Sequence, residues 1–130
     1  MKNLLPGFVN ARWLIVDDQE ISRVSAENIM RRAGAATECA CNGVEALSLL
    51  QKCSFQGILM DGKMQIMDGY QTTAHIRRRE LETGADRLVI ILVTADPDHA
   101  SRALGAGMDA SIQKPIDATE LFEAIARARR

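Results

Sequence analysis

Gly57-Ile-Leu-Met-Asp61 decides how this chain folds. An apolar run of strand length ends abruptly on a carboxylate. The same pattern recurs three times: Trp13-Leu-Ile-Val16 runs into Asp17-Asp18, Leu88-Val-Ile-Ile-Leu-Val93 into Thr94, and the weaker Ala110-Ser-Ile-Gln113 into Lys114-Pro115. Continuous apolar runs of this length suit strands buried on both faces of a parallel sheet. In an open α/β sheet, ligands bind beyond the carboxyl ends of the strands. Three carboxylates, a hydroxyl and an ammonium are therefore expected at one edge, a set able to hold a divalent cation and a phosphoryl group.

Outward from that run, short apolar segments alternate with helical patterns, the signature of βαβ units. Strands are expected at about 12–17, 36–40, 57–61, 88–93 and 110–113. Helices are expected at about 20–33, 43–53, 69–82, from Asp96-Pro97 to Gly105-Ala-Gly107, and at about 118–129. Asn42 with Glu45, and Asp117 with Glu120, have N-cap and N3 spacing. Asp96 followed by Pro97 reads as a cap with proline at N1. The expected buried stripes are Ile21, Ser25, Ile29 and Ala33 with Ala26 and Met30 beside them, then Val44, Leu47 and Leu50, and last Leu121, Phe122, Ile125 and Ala126. The pattern is (βα)5, an α/β doubly wound fold with one five-stranded parallel sheet. Residues 1–11, broken by Pro6-Gly7, read as a leader or linker, and residues 12–130 as one domain.

A chain of 130 residues suits one domain. A net charge of −1 gives no electrostatic case for nucleic acid, so none is expected as a partner. Arg127, Arg129 and Arg130 read as a solvated helix end that suits the dipole. Cys39, Cys41 and Cys53 form no CxxC pair, so neither a zinc site nor a disulfide framework is indicated. They read as small core or strand positions in a reducing cytoplasm. The start of the chain lacks a signal-peptide h-region. The longest apolar run, Leu88–Val93, is too short to cross a membrane. A cytoplasmic location away from membranes is expected.

Among the polar endings, Asp61 is the most specific, because a carboxylate ending a core strand is costly unless paired. Asp17-Asp18 is weaker alone, since an ordinary N-cap needs one Asp. If the three carboxylates converge, two of them 4 Å apart repel by about 4 kcal/mol at an effective dielectric near 20. A cation is then required, and Mg²⁺ suits an all-oxygen site. Lys114 neutralises from the other side, with Pro115 restricting its backbone to extended conformations. Thr94 offers a hydroxyl to a phosphoryl oxygen, though threonine is also simply a good strand residue. Position 63, where a phosphohydrolase with an Asp nucleophile generally carries an acid/base Asp, is Lys. His75 and His99 read as surface residues, and Met64 and Met67 as packing residues. No glycine-rich nucleotide cradle is present.

These residues, in this order at the ends of strands 1, 3, 4 and 5, resemble a response-regulator receiver domain of two-component signalling, the CheY-like (flavodoxin-like) fold. The resemblance is strongest to receivers of hybrid sensor histidine kinases. It extends over Asn42-Gly43-Val-Glu-Ala-Leu47, Asp61-Gly-Lys-Met-Gln-Ile-Met-Asp-Gly69, Thr94-Ala95 and Gly105-Ala-Gly-Met-Asp109. It implies that Asp61 accepts a phosphoryl group from a phosphohistidine on a sensor histidine kinase or histidine phosphotransfer protein. Asp18 would bind Mg²⁺ directly and Asp17 largely through water, with Asp61 and the backbone carbonyl of Lys63 completing the protein ligands; Mn²⁺ is able to substitute. Thr94 and Lys114 would bind the phosphoryl oxygens. Helix 1 and the loops around Asp61 would dock the donor, and the helix 4–strand 5–helix 5 face an output partner. Such a domain is not an enzyme beyond self-catalysed phosphotransfer and autodephosphorylation. Three positions depart from the family pattern. Ser111 stands where an aromatic usually turns inward on phosphorylation. Gln65 replaces a loop proline, and Lys63 is a long cation beside the metal site, within reach of the phosphate or Asp96. Two alternatives stay open: a receiver-fold binding module that works unphosphorylated, and a Mg²⁺-dependent phosphohydrolase.

Overall fold

The computed structural model describes residues 5–129. Five strands and five helices alternate among them: β1 (Arg12–Val16), α1 (Glu20–Arg32), β2 (Ala36–Ala40), α2 (Gly43–Lys52), β3 (Gly57–Asp61), α3 (Gly69–Thr83), β4 (Val89–Thr94), α4 (His99–Ala106), β5 (Ala110–Gln113) and α5 (Ala118–Ala128). The strands form one parallel sheet in the order β2-β1-β3-β4-β5. The order reverses between β1 and β3, which makes their carboxyl ends the topological switch point.

Strand residues alternate faces, and two cores follow from that alternation. Trp13, Ile15, Leu59, Ile91, Val93 and Ile112 pack with α1 and α5 through Ala26, Met30, Leu121, Ala124 and Ile125. Leu14, Val16, Ile58, Met60, Ile90 and Leu92 pack on the other face with Ala46, Ile76 and Ala103. The central strands are apolar on both faces because both are covered.

The helical stripes differ from expectation in a consistent direction. On α1, Ile21 is 87 % exposed and Ser25 is exposed, while Ala26 and Met30 are buried. On α2, Val44 is exposed and Gly43 and Ala46 are buried. On α5, Ala126 is exposed and Ala124 takes its place inside. Close approach of helix to sheet selects small side chains at the tightest points of contact, Ala26, Gly43, Ala46 and Ala124. At Gly43 an added Cβ would strike the Thr72 hydroxyl. Asn42 caps α2 by accepting the Glu45 N–H at 2.9 Å, but the Glu45 carboxylate returns to the Cys41 N–H, one residue before the cap. Asp68 and Gln71 form the reciprocal capping pair, at the start of α3. Gly84 and Gly107 end α3 and α4 at φ of +73° and +88°, the left-handed region that glycine tolerates.

Asp96-Pro97 does not start α4. The helix begins at His99 with Asp98 in the cap position, because the Asp96 carboxylate accepts the Asp98 N–H at 2.9 Å and closes a turn of its own. β4 lies one residue later than expected and β1 stops at Val16. Cys41 is exposed rather than a core residue.

Residues 1–4 of the expected leader and Arg130 lie outside the described residues. From Leu5 the leader packs on the domain: Phe8 is buried against Trp13 and Phe122, with ring centroids 6.1 and 5.5 Å away. Arg129 is not merely a solvated end, since its guanidinium sits 5.1 Å over the Phe8 ring and donates to the Gly7 carbonyl at 3.3 Å. Among the described residues no helix is long and apolar enough to cross a membrane.

Candidate functional site

The pairing register brings the acidic ends together. Val16 lies opposite Met60, so the next residues along, Asp17 and Asp61, are neighbours. Asp61 lies opposite Val93 and through it level with Ile112, and Thr94 lies opposite Gln113, which sets Thr94 one step and Lys114 two steps beyond Asp61 along the same edge. The Lys114 N–H donates to the Thr94 carbonyl at 2.7 Å and extends the ladder by that step. By alternation, Asp17, Asp61 and Lys114 continue the face that carries Ile15, Leu59 and Ile112. That parity explains why one ammonium serves both carboxylates. Lys114 Nζ is 3.1 Å from Asp17 Oδ2 and 3.5 Å from Asp61 Oδ2. The Lys114–Pro115 peptide bond is cis.

One oxygen each from Asp17, Asp18 and Asp61 lies within 4.8 Å of the others. Asp17 and Asp61 are buried and Asp18 is exposed, so the cluster opens to solvent on one side. An all-oxygen set with room for water fits a hard cation such as Mg²⁺. Asp17 is fixed further by the Gln19 N–H on its Oδ1 at 2.9 Å, and its backbone carbonyl accepts from Arg23 at 3.1 Å. Burial pushes the Asp61 carboxyl from the ordinary 3.8 up to about 6. The Asp17 charge adds to this rise, while Lys114 and the backbone N–H of Lys63 oppose it. An ionised Asp61 is thus costly until a cation or phosphoryl chemistry compensates it.

Thr94 is buried, and its Oγ1 accepts the Asp96 N–H at 3.3 Å. Lys63 and Gln65 are exposed in the loop after β3. The Met67 N–H closes that loop onto the Gln65 carbonyl at 2.8 Å, around Ile66 at φ +73°. A β-branched residue held there costs about 1–3 kcal/mol. At the far end of the loop, the Gly69 N–H donates to the Gly62 carbonyl at 3.0 Å. A Cβ at Gly69 would strike the Asp61 carbonyl oxygen and stand 2.9 Å from Met60 Cγ. Gly69→Ala is therefore expected to destabilise the domain by about 2 kcal/mol, the scale of an overpacked core site. Denaturant unfolding measures it, and an unchanged midpoint would mean the loop yields freely.

Ser111 lies opposite Leu92, on the face covered by α4. His99 is not a plain surface residue: its Nδ1 is 2.6 Å from Ser111 Oγ. His75 is exposed, and Met64 packs on the core. Sequence reasoning missed Gln19, Arg23, Tyr70 and Arg102 around the site. None belongs to a strand-end pattern: Gln19 and Arg23 meet Asp17 through the turn into α1, whereas Tyr70 and Arg102 reach the site from α3 and α4.

A doubly wound sheet with an acidic pocket at its switch point, faced by a strand-end lysine, is the class defined by this geometry. Residues 13–126 match the response regulator receiver domain family, and the chain belongs to it. A probable histidine kinase of rice (Oryza sativa subsp. japonica) is 32 % identical over 133 residues, covering 88 % of this chain and 14 % of that protein. The chain thus spans a small part of that relative. The receiver domain of a Pseudomonas aeruginosa sensor histidine kinase, solved with magnesium coordinated in its active-site cleft, is 26 % identical with TM-score 0.80, covering 94 % of this chain and 100 % of that one. The receiver domain of a Saccharomyces cerevisiae response regulator, solved with a histidine phosphotransfer protein, superposes with TM-score 0.83 at 23 % identity, over 92 % of this chain and 88 % of that one. The chain is a receiver domain of two-component signalling, and its fold is that of the CheY-like proteins.

Proposed function

We propose that Asp61 is the phosphoacceptor of this receiver and takes its phosphoryl group from a phosphohistidine on a sensor histidine kinase or histidine phosphotransfer protein. One observation carries the reading: Asp61, buried at the end of β3, shares Lys114 with Asp17 inside a three-carboxylate cluster. An Asp61 carboxylate oxygen attacks phosphorus. The P–N bond to the donor imidazole breaks, and its electron pair returns to the nitrogen, which takes a proton from solvent. Asp17, Asp18, Asp61 and the Lys63 carbonyl would hold Mg²⁺ (or Mn²⁺), which supplies charge neutralisation for the transfer. Lys114 and the Thr94 hydroxyl bind the phosphoryl oxygens. Phosphoryl transfer asks mainly for positioning and charge stabilisation, and these residues offer both. The domain would catalyse its own phosphorylation and the later hydrolysis of the acyl phosphate.

The donor approaches from the open Asp18 side, where α1 presents Ile21 and Val24 as exposed apolar residues. The α4–β5–α5 face is the surface offered to an output partner. Residues 12–130 would form the receiver and act in the cytoplasm, with the first residues as a leader.

A second reading, an unphosphorylated binding module, is favoured by the Ser111–His99 bond, which occupies the place of a mobile aromatic. Intact mass after incubation with acetyl phosphate decides between the two. The expected result is a gain of one phosphoryl group with Mg²⁺ and none with EDTA. No gain, together with no NMR response to beryllofluoride and Mg²⁺, would leave the binding module as the better account.

A further inference from the structure

The acceptor cleft, about 480 Å³, is bounded by Asp61, Lys63, Thr94, Asp96, Lys114 and a residue of α4, Arg102. Arg102 Nε is 2.8 Å from Asp96 Oδ2, in an ion pair whose arginine side chain is 60 % exposed. Asp96 is tied to the site by its own N–H, which donates to Thr94 Oγ1 at 3.3 Å. On the far side, the Tyr70 hydroxyl faces Arg102 and Asp96; burial raises its pKa, and Arg102 opposes the rise. The guanidinium is therefore two links from Thr94, on α4, and lines the space a phosphoryl group on Asp61 would enter.

We infer that Arg102 is a further phosphoryl ligand: Asp96 holds it in the resting state, and phosphorylated Asp61 takes it over, drawing α4 toward the site. The inference rests on the phosphoacceptor reading of Asp61. Four arguments support it. A planar guanidinium matches phosphoryl oxygens in a two-point geometry, which a lysine does not. The arginine of the pair it leaves is mostly exposed, and ion pairs with a solvated partner are weak. Phosphorylation adds negative charge within the cleft, so it attracts Arg102 and repels Asp96 together. Thr94, recruited to the phosphoryl group, gives up the Asp96 N–H and frees the turn that positions the carboxylate. The helix that would move is eight residues long, with Ala103 its fully buried residue. Such a path reaches the α4 face without an inward-turning side chain at Ser111.

The test is a beryllofluoride titration in saturating Mg²⁺, beside a titration with Mg²⁺ alone. Arg102→Ala is expected to weaken beryllofluoride binding about fivefold, the scale of one charge-assisted contact at a partly exposed site, with no loss of Mg²⁺ affinity. Arg102→Lys recovers part of it. Asp96→Asn releases the guanidinium and is expected to tighten beryllofluoride binding about twofold, a gain that vanishes in the Arg102→Ala background. Unchanged binding in Arg102→Ala overturns the inference, as does an equal loss of Mg²⁺ and beryllofluoride, or an Asp96→Asn gain that survives without Arg102. If the parent binds Mg²⁺ but no beryllofluoride, the phosphoacceptor reading fails first and the inference falls with it.

Discussion

Asp61→Asn is expected to gain no phosphoryl group under conditions that label the parent, and to be the more stable protein in metal-free buffer at neutral pH. The loss follows from the chemistry, since an amide oxygen supplies no acyl-phosphate nucleophile. The stability gain follows from linkage. Burial and Asp17 raise the folded-state pKa of Asp61 from 3.8 to about 6. The folded protein then binds this proton more tightly than the unfolded chain does. Below pH 3.8 the carboxyl is protonated in both states and costs nothing. As pH rises through the window from 3.8 to about 6, the unfolded chain ionises first, and a penalty on the folded state grows to its full size above that window. Asparagine has no such penalty. After discounting for a cluster open to solvent on one side, the gain is about 1–2 kcal/mol at pH 7, fading toward zero at pH 4. Mg²⁺ reverses the order, because it stabilises the parent by about 2.7 kcal/mol at a hundredfold excess over Kd and the variant by less. Thermal unfolding of both proteins at pH 4 and 7, with EDTA and with Mg²⁺, measures all three effects. A variant no more stable than the parent in EDTA at pH 7 would mean that Asp61 carries no ionisation penalty.

The strand ends were legible because each is an abrupt change of polarity. Asp17, Asp61, Thr94 and Lys114 mark the places where apolar runs stop, and parallel pairing carries those places to one edge. The helices were less legible, because periodicity counts hydrophobicity while close packing selects for size. Ile21 and Val44 have the stronger apolar signal, yet Gly43 and Ala46 take the contact line of α2, and on α1 it falls to Ala26 and Met30, which periodicity places only beside the stripe. The start of α4 was misread because two aspartates compete for the cap. Asp96 spends its carboxylate on the Asp98 N–H and on Arg102, a choice that depends on a partner six positions away on α4. The pairing of His99 with Ser111 joins a helix start to a strand twelve residues on. Nothing in either local pattern announces it. A serine there reads as a lost aromatic, whereas the fold uses its hydroxyl to tie α4 to β5.

Lys114→Ala is expected to separate the resting task of this ammonium from the one proposed for it in transfer. At rest, Lys114 bridges Asp17 and Asp61 at 3.1 and 3.5 Å, with its side chain 15 % exposed. Removing it leaves two buried carboxylates facing each other with no cation. Their repulsion favours any divalent ion that enters, so Mg²⁺ affinity is expected to hold or increase. In the proposed transfer the same ammonium would be the fixed positive charge on the phosphoryl oxygens, and no other strand-end residue would replace it. Loss of one preorganised charge of this kind costs about a hundredfold in rate. The initial rate of labelling by acetyl phosphate in saturating Mg²⁺ is therefore expected to fall about a hundredfold while metal binding is retained. Lys114→Arg is expected to bind the metal but recover little of the rate, because the larger fork does not fit between Asp17 and Asp61 at ammonium distances. A rate within twofold of the parent would remove Lys114 from the transfer step and reduce it to a counter-ion of the resting state. A parallel loss of Mg²⁺ binding would instead make it a structural support of the cluster.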